Sequence, residues 1–198
     1  MTQLFNNKYR IPSARLKNWN YANEGMYFVT ICTKNRENYF GNIIETPCVV
    51  NAETQCIASL QPTEIGKIAH SEWYKTMELR PDMKLEAGEF VVMPNHIHGI
   101  IIIEANEYNA IGGGRATMNF SPATKYENKF GPQSKNLASI IRGYKSAVTT
   151  YARKNGIQFD WQTRFHGHII RSMDDYNRIS NYIIQNPNKR LNDKFRQK

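Results

Sequence analysis

The sequence predicts an α+β fold in which an antiparallel sheet is covered, mainly on one face, by helices. Short apolar runs rich in aromatic and β-branched residues recur along the chain, which is typical of strands. Segments with apolar residues at helical spacing separate these runs, and no internal repeat is visible. A two-layer arrangement lets each amphipathic helix bury its apolar stripe against the sheet. We expect a single domain spanning residues 1–198.

The first half of the chain predicts one strand, an excursion and one helix. A polar N-terminal arm, residues 1–25, precedes a strand at 26–32 with the sequence MYFVTIC. Residues 37–61 are expected to form a hairpin or an irregular excursion. A helix is expected to begin at Thr63, because apolar residues recur every three or four positions after it, and to end before Pro81.

The middle of the chain predicts two neighbouring strands followed by a loop. The apolar runs 90–93 and 98–103 are joined through Pro94 and Asn95, which suits adjacent strands of one sheet. Residues 105–134 contain three consecutive glycines and scattered Asn, Ser and Pro. This composition predicts a long flexible insertion that is dispensable for folding.

The last third predicts a helix, a strand and another helix. Apolar residues recur at helical spacing over 137–154, and the pattern ends at Asn155-Gly156. The segment from 161 to 171 is predicted to be a strand. Ser172 is a candidate N-cap for a third helix, which Pro187 is expected to end.

The distribution of charge favours a nucleic acid as partner. Residues 1–134 carry 13 basic and 13 acidic side chains, whereas residues 135–198 carry 13 basic and 4 acidic ones, so the whole excess of +9 lies in the last third. Aromatic residues that could stack on bases are interleaved with these cations. The alternative is a basic, well-solvated surface with no partner.

Several classes of protein are excluded by composition. No apolar run approaches the roughly 20 residues that span a bilayer, and the N-terminus lacks the apolar core of a signal peptide. We therefore expect a cytoplasmic, nucleoid-associated protein with no membrane partner. The three cysteines form no CxxC pair, so neither a zinc knuckle nor a disulfide framework is indicated.

The run MPNHIHGIIII is a candidate metal site. His96 and His98 stand two positions apart in an extended segment, so both imidazoles leave the same face of the strand. Two imidazoles on one face can chelate a transition ion, and a third oxygen ligand would extend the choice to Mg or Mn. A His-x-His pair in a strand is also compatible with no metal at all.

Three blocks of sequence resemble one known family. They are YFVTICTKNRENYFG, VVMPNHIHGIIII and HIIRSMDDYNRISNYIIQNP, and they cover most of residues 26–187 in the family's order. In these blocks the chain resembles the IS200-like and REP-associated tyrosine transposases, which are HUH single-strand endonucleases of the Y1 type. The resemblance implies a ferredoxin-like (RRM-like) sheet, binding of single-stranded or hairpin DNA, and a 5′-phosphotyrosine intermediate.

The resemblance also implies the site residues. Mapped onto the family's Tyr-x-x-x-Asn arrangement, Tyr182 would be the catalytic nucleophile and Asn186 the third ligand, beside His96 and His98, of a divalent Mg or Mn ion. Tyr144 is the competing tyrosine, but it lies in the centre of an apolar helical stripe, which favours a packing role. Without the resemblance, Tyr182 and Asn186 would be interpreted as a boundary tyrosine and a helix cap.

Other polar residues of the last third have less specific interpretations. The second His-x-His, His166 and His168, encloses a glycine instead of an apolar residue, and we expect His168 to be structural or to face DNA. The expected phosphate contacts are cations on the predicted strand and helices of this region: Arg142, Lys145, Arg164, Arg171 and Arg178. The alternative to a transposase is a domesticated, non-catalytic protein that binds a DNA or RNA hairpin. We expect a monomer or a homodimer.

Overall fold

The structure is a computed structural model that describes residue 16 and residues 19–50, 53–109 and 134–191. Six strands, four α-helices and two single-turn 3-10 helices are present in these ranges. The strands are β1 (Gly25–Cys32), β2 (Gly41–Val50), β3 (Glu53–Pro62), β4 (Leu85–Met93), β5 (His96–Ile103) and β6 (His166–Ile170). The helices are α1 (Glu64–Glu78), α2 (Leu137–Lys154), α3 (Met173–Ile184) and α4 (Asn186–Leu191).

Four of the strands form one antiparallel sheet in the order β4-β5-β1-β6. With α1 between β1 and β4, and α2 between β5 and β6, the chain follows the βαββαβ path of a ferredoxin-like fold. The predicted α+β class with an antiparallel sheet is therefore confirmed. Strands β2 and β3 form a separate two-stranded hairpin, which is the first of the two forms expected for residues 37–61.

The two faces of the sheet are covered by different helices. Alternate residues of β1 and β5, such as Tyr27, Val29 and Ile97, are buried in the main core beneath α1 and α2; we call this side the core face. On the opposite side, Ile100 of β5 packs with Ile179 of α3 in a smaller apolar cluster. We call this second side the histidine face, because the imidazoles of His96 and His98 lie there.

The segment before β6 is less regular than predicted. The sequence favours one strand over 161–171, whereas β6 is confined to His166–Ile170 and Trp161 makes only an isolated bridge to Thr33. The ammonium of Lys145 donates hydrogen bonds to the carbonyls of Gln162 (2.6 Å) and Arg164 (3.2 Å). A side chain thus satisfies carbonyls that a neighbouring strand would otherwise bind.

The predicted insertion has an ordered beginning. Residues 105–109 lie in a turn in which Asn106 is buried, and its amide donates to the carbonyls of Met83 and Glu104, each at 2.9 Å. Residues 110–133 and most of the predicted arm at 1–25, namely residues 1–15, 17 and 18, lie outside the described residues. The dispensability of the insertion at 105–134 stays a prediction, and because Asn106 is buried and bonded, a deletion that tests it should spare 105–109.

The β2–β3 hairpin is anchored beside the end of α3. Ile43 and Ala58 pack with Met93 of β4, and the Asn188 side-chain oxygen of α4 accepts a hydrogen bond from the Ala58 amide at 3.0 Å. The hairpin therefore fixes α4 close to the histidine face. In the described part of the chain, every helix is too short or too polar to cross a membrane.

Gly99 brings the sheet and α1 into close contact. A β-carbon at Gly99 would lie 2.5 Å from Cζ2 of Trp73, whose fully buried indole stacks on Phe90 with ring centroids 4.5 Å apart. Gly167 occupies the corresponding place in β6, because both glycines pair with Val29 of β1. At Gly167 the nearest atom to an added β-carbon is 3.5 Å away, an ordinary contact.

We predict that Gly99→Ala destabilises the protein while Gly167→Ala does not. The added methyl group at Gly99 must displace a close-packed aromatic pair, which costs roughly 1–3 kcal/mol of unfolding free energy. The matched change at Gly167 is expected to stay within about 0.5 kcal/mol of wild type. Urea denaturation of the two variants measures this difference, and equal stabilities would show that Trp73 and Phe90 adapt without cost.

Candidate functional site

The two predicted histidine ligands lie side by side on the histidine face. They occupy alternate positions of β5, with His96 opposite Cys32 and His98 opposite Thr30 of β1. Their ring centroids are 4.6 Å apart with an interplanar angle of 73°. Ile97, between them, points to the core face and is fully buried. The shared face expected from strand periodicity is therefore present.

His98 is the more buried of the two and is held on several sides. Its Nδ1 atom is 2.9 Å from the Thr30 hydroxyl, and its ring stacks on Phe28 with centroids 5.4 Å apart. Burial lowers the pKa of His98 to about 4, and the nearby His166 contributes to the lowering. The imidazole is therefore neutral at pH 7, which is the protonation state that a metal ligand or a hydrogen-bond acceptor requires.

The side-chain amide of Asn95 fixes the tautomer of His96. Asn95 donates from Nδ2 to the Arg36 carbonyl at 3.0 Å, so its Oδ1 atom is the one that faces His96 Nδ1, at 2.8 Å. A carbonyl oxygen can only accept, and His96 Nδ1 must therefore carry the proton. The lone pair of neutral His96 then lies on Nε2. This is the arrangement in which an outer hydrogen bond orients a metal-ligating histidine.

Tyr182 of α3 extends over the same face. Its hydroxyl is 3.3 Å from Nε2 of His98, and its ring makes an edge contact with Phe28. The residue is 38% exposed, so a macromolecular substrate can reach the phenol. The ammonium of Lys189, in α4, lies 5.5 Å from the centre of the ring. The predicted nucleophile and the predicted histidines thus occupy one site.

Asn186 lies at a boundary between helices. Helix α3 ends at Ile184, and Asn186 begins α4, with Pro187 at the second position of the new helix instead of simply ending the old one. Proline is tolerated in a first helical turn, which is why the chain can restart there. Asn186 is buried, in contrast to Tyr182. Its role as a third ligand stays a prediction.

The donor set is compatible with a divalent cation. His96 has its lone pair on Nε2, and His98 can present the same atom if its Nδ1 donates to Thr30. Across the described ranges, no group of three or more His, Cys, Asp or Glu side chains could hold a metal. A complete site therefore needs an amide oxygen, a substrate oxygen or water besides the two imidazoles.

Tyr144 has the packing role that its sequence position indicates. It is fully buried beneath α1, and its hydroxyl donates to the Ala69 carbonyl at 2.8 Å. Burial raises the pKa of this phenol well above its ordinary value. A buried neutral phenol on the core face cannot contact a substrate bound on the histidine face.

The predicted phosphate contacts are dispersed. Arg164 and Arg171 are exposed on either side of β6, and Arg178 is exposed on α3, where it pairs with Asp175. Lys145 is partly buried, its ammonium donates to two carbonyls, and burial lowers its pKa to about 8. Arg142 lies on α2, away from the histidine face. Arg178 lies on α3, the helix that also carries Tyr182, and a DNA contact by any of the five stays a prediction.

The second histidine pair differs from the first in its surroundings. His166 pairs with Thr30 and His168 with Phe28 across β1, so both lie on the histidine face, but both are exposed. His168 Nε2 is 3.3 Å from a carboxylate oxygen of Asp175, the first-turn residue of α3. The pair therefore lies on the same face as the candidate site, with His168 directed to Asp175.

Four residues of the site were not predicted from the sequence. Thr30 and Phe28 hold His98, Asn95 orients His96, and Lys189 lies over Tyr182. Alternation in MYFVTIC places Phe28 and Thr30 on one face, but only the β1–β5 register brings that face to His98. Asn95 was visible in the sequence as the residue that precedes the histidine pair.

Comparisons with known proteins give a relative and a structural likeness. No family model matches the chain. An uncharacterized protein of Haemophilus influenzae (strain ATCC 51907 / DSM 11121 / KW20 / Rd) is 38% identical over 178 residues, covering 88% of this chain and 87% of that protein. A solved structure of a REP-associated tyrosine transposase bound to a REP hairpin matches with a TM-score of 0.52 and 20% identity, covering 90% of this chain and 74% of that chain. At this identity the likeness shows the fold alone.

Proposed function

The chain belongs to the same family as the Haemophilus influenzae protein, and we propose that it is a metal-dependent single-strand DNA endonuclease and strand transferase of the tyrosine transposase type. The observation that carries the proposal is the 3.3 Å contact between the Tyr182 hydroxyl and Nε2 of His98, beside His96 on the same face. The transposase of like fold is bound to a REP hairpin, which supports hairpin DNA as the substrate.

The proposed reaction needs a phenol that a phosphodiester can reach. The Tyr182 oxygen bonds to phosphorus while the bond to the 3′ oxygen breaks, and the phenolic proton passes through solvent to the leaving 3′ oxygen. This leaves a 5′-phosphotyrosine and a free 3′-hydroxyl. A second 3′-hydroxyl reverses the step and joins new ends, with no nucleotide cofactor consumed.

The residues that would hold a cation are His96, His98 and Asn186. A bound Mg or Mn ion supplies Lewis-acid activation of the phosphate. The Nε2 atom of His98 has one lone pair, so it cannot ligate a cation and accept a hydrogen bond from Tyr182 at the same time. The 3.3 Å contact therefore measures how close the phenol lies to the ligand position.

The test of the proposal is a trapping experiment. The protein is incubated with Mn or Mg and labelled hairpins that carry single-stranded flanks, and a denaturation-resistant protein–DNA adduct is sought on a gel. A chelator should prevent the adduct, and a perfect duplex of matched length should give none. Absence of an adduct across a broad panel of hairpins, with hairpin binding retained, would favour the non-catalytic hairpin-binding alternative.

Lys189 is expected to assist the reaction through its charge. Its ammonium is exposed and lies 5.5 Å from the Tyr182 ring centre, so it can approach a phosphate that the phenol attacks. We predict that Lys189→Met slows adduct formation about 10-fold, as expected for the loss of one electrostatic contact in the transition state, and that Lys189→Arg restores most of the rate.

The matched control for this prediction is Lys154→Met, in the last turn of α2, which also removes one exposed lysine. It is expected to leave the adduct rate unchanged at saturating DNA. If both methionine variants were slowed equally, the effect of Lys189 would be one of overall charge and not of its place above Tyr182.

A further inference from the structure

A basic cavity lies on the opposite side of the protein from the histidines. It has a volume of about 440 Å³ and is lined by residues that include Arg80, Lys135, Arg142, Gly143 and Ser146. It opens between the segment after α1 and the first turns of α2. We propose that this cavity binds a phosphate group, and that the group belongs to a DNA backbone bound elsewhere by the histidine face.

Arg80 is held in the cavity wall by a specific packing arrangement. A β-carbon at Gly143 would lie 2.2 Å from Nη2 of Arg80, so the absence of a side chain there makes room for the guanidinium. Arg80 Nη1 donates to the Thr76 carbonyl at 3.2 Å, which orients the group. A guanidinium has five N–H donors, and the Thr76 carbonyl uses only one of those of Arg80. A phosphate can accept two parallel N–H groups of a guanidinium at once.

The charges around the cavity favour an anion. Three cationic side chains line it, and one carboxylate, Asp82, forms an ion pair with Lys135 at its margin. Partial burial of Arg80 lowers its pKa and the nearby Asp82 opposes this effect, so the guanidinium is partly desolvated and a bound anion would stabilise it. The hydroxyl of Ser146 adds a neutral donor to the wall.

The position of the cavity separates it from the proposed cleavage site. Met83 lines the cavity, and two residues later Leu85 pairs with Ile103. Ile103 is the last residue of β5, at the end of the strand opposite to His96. His98 is five residues away, roughly 17 Å along the strand, and on the other face of the sheet. A DNA strand that contacts both the cavity and the histidine face must pass around an edge of the sheet. The assignment to DNA rests on the proposed function, whereas phosphate binding by the cavity does not.

The cavity is tested with the full chain labelled with ¹⁵N. Inorganic phosphate, a mononucleotide and a hairpin oligonucleotide with a single-stranded tail are titrated separately, and the Gly143 and Ser146 amide signals are followed. We expect saturable shifts in the wild type and none in an Arg80→Gln/Arg142→Gln variant. Gly143→Ala keeps every charge but displaces Arg80, and it should weaken phosphate binding at least about 5-fold.

Hairpin affinity provides a second readout, which needs no cleavage and therefore stays informative if the proposed catalysis fails. In the double glutamine variant, the slope of log affinity against log salt should become shallower by about 0.8, because one phosphate is no longer neutralised. The matched control, Arg153→Gln/Lys154→Gln, removes two exposed charges at the other end of α2 and should change affinity less than 2-fold. Equal losses in both variants, or unmoved cavity amides, would overturn the site. Shifts with phosphate or mononucleotide but not with the hairpin would overturn the assignment to DNA.

Discussion

Replacing Tyr182 by phenylalanine is expected to abolish the covalent protein–DNA adduct while leaving hairpin affinity close to that of the wild type. The substitution removes only the hydroxyl oxygen that lies 3.3 Å from His98 Nε2. The ring, its edge contact with Phe28 and its exposure all persist. Loss of a nucleophile lowers the rate by at least about 10³-fold. Denaturing gels measure the adduct, and fluorescence anisotropy measures the affinity.

Tyr144→Phe is the matched control for this change. It removes a hydroxyl of the same kind from a buried tyrosine whose hydrogen bond goes to the Ala69 carbonyl. Its expected effect is a loss of about 1 kcal/mol of stability with the adduct retained. If peptide mapping placed the DNA on Tyr144, or if the Tyr182 variant still formed the adduct, the nucleophile assigned here would be wrong even though a covalent mechanism would survive.

The sequence predicted the elements of the fold better than their mutual placement. The stripe over 137–154 and the cap at Ser172 correspond to α2 and to the start of α3, because helical periodicity and capping are local properties of the chain. An apolar stripe does not specify which face of a sheet it will cover. That α3 covers the histidine face, opposite α1 and α2, follows from the β5–β1–β6 pairing, which joins residues more than 60 positions apart.

The site shows the same division between local and distant information. Side chains alternate between the two faces of a strand, which predicts that His96 and His98 share a face. In the structure the two rings do lie side by side. Thr30 and Phe28 reach His98 only through the strand register, and Lys189 reaches Tyr182 only because the chain restarts as α4 at Asn186. The carbonyls just before β6 accept hydrogen bonds from Lys145 of α2, a contact that the strand pattern does not indicate. Sequence patterns therefore indicated the candidate reactive groups, whereas the residues that hold them are visible only in the packed structure.

Removing either imidazole of the first histidine pair is expected to abolish metal binding and DNA cleavage together. After His96→Ala or His98→Ala, one histidine and at most one amide oxygen remain, too few ligands to position a cation against a phosphate. We predict a loss of at least about 10³-fold in adduct formation and no detectable heat of Mn binding by calorimetry. Asn186→Ala should be milder, because water can replace an amide oxygen, and excess Mn should partly restore its activity.

The second histidine pair supplies the control for this experiment within the same protein. His166 and His168 have the same spacing and lie on the same face of the sheet, but they are exposed and His168 is engaged with Asp175. Alanine at either position removes an imidazole that borders the candidate site without removing a predicted ligand, so activity should stay within about 10-fold of wild type and Mn binding should persist. The opposite pattern, in which His166 or His168 proved essential for Mn binding while His96 and His98 were dispensable, would move the metal site to β6. Equal losses in all four variants would instead indicate that the histidines act by shaping the DNA-binding surface.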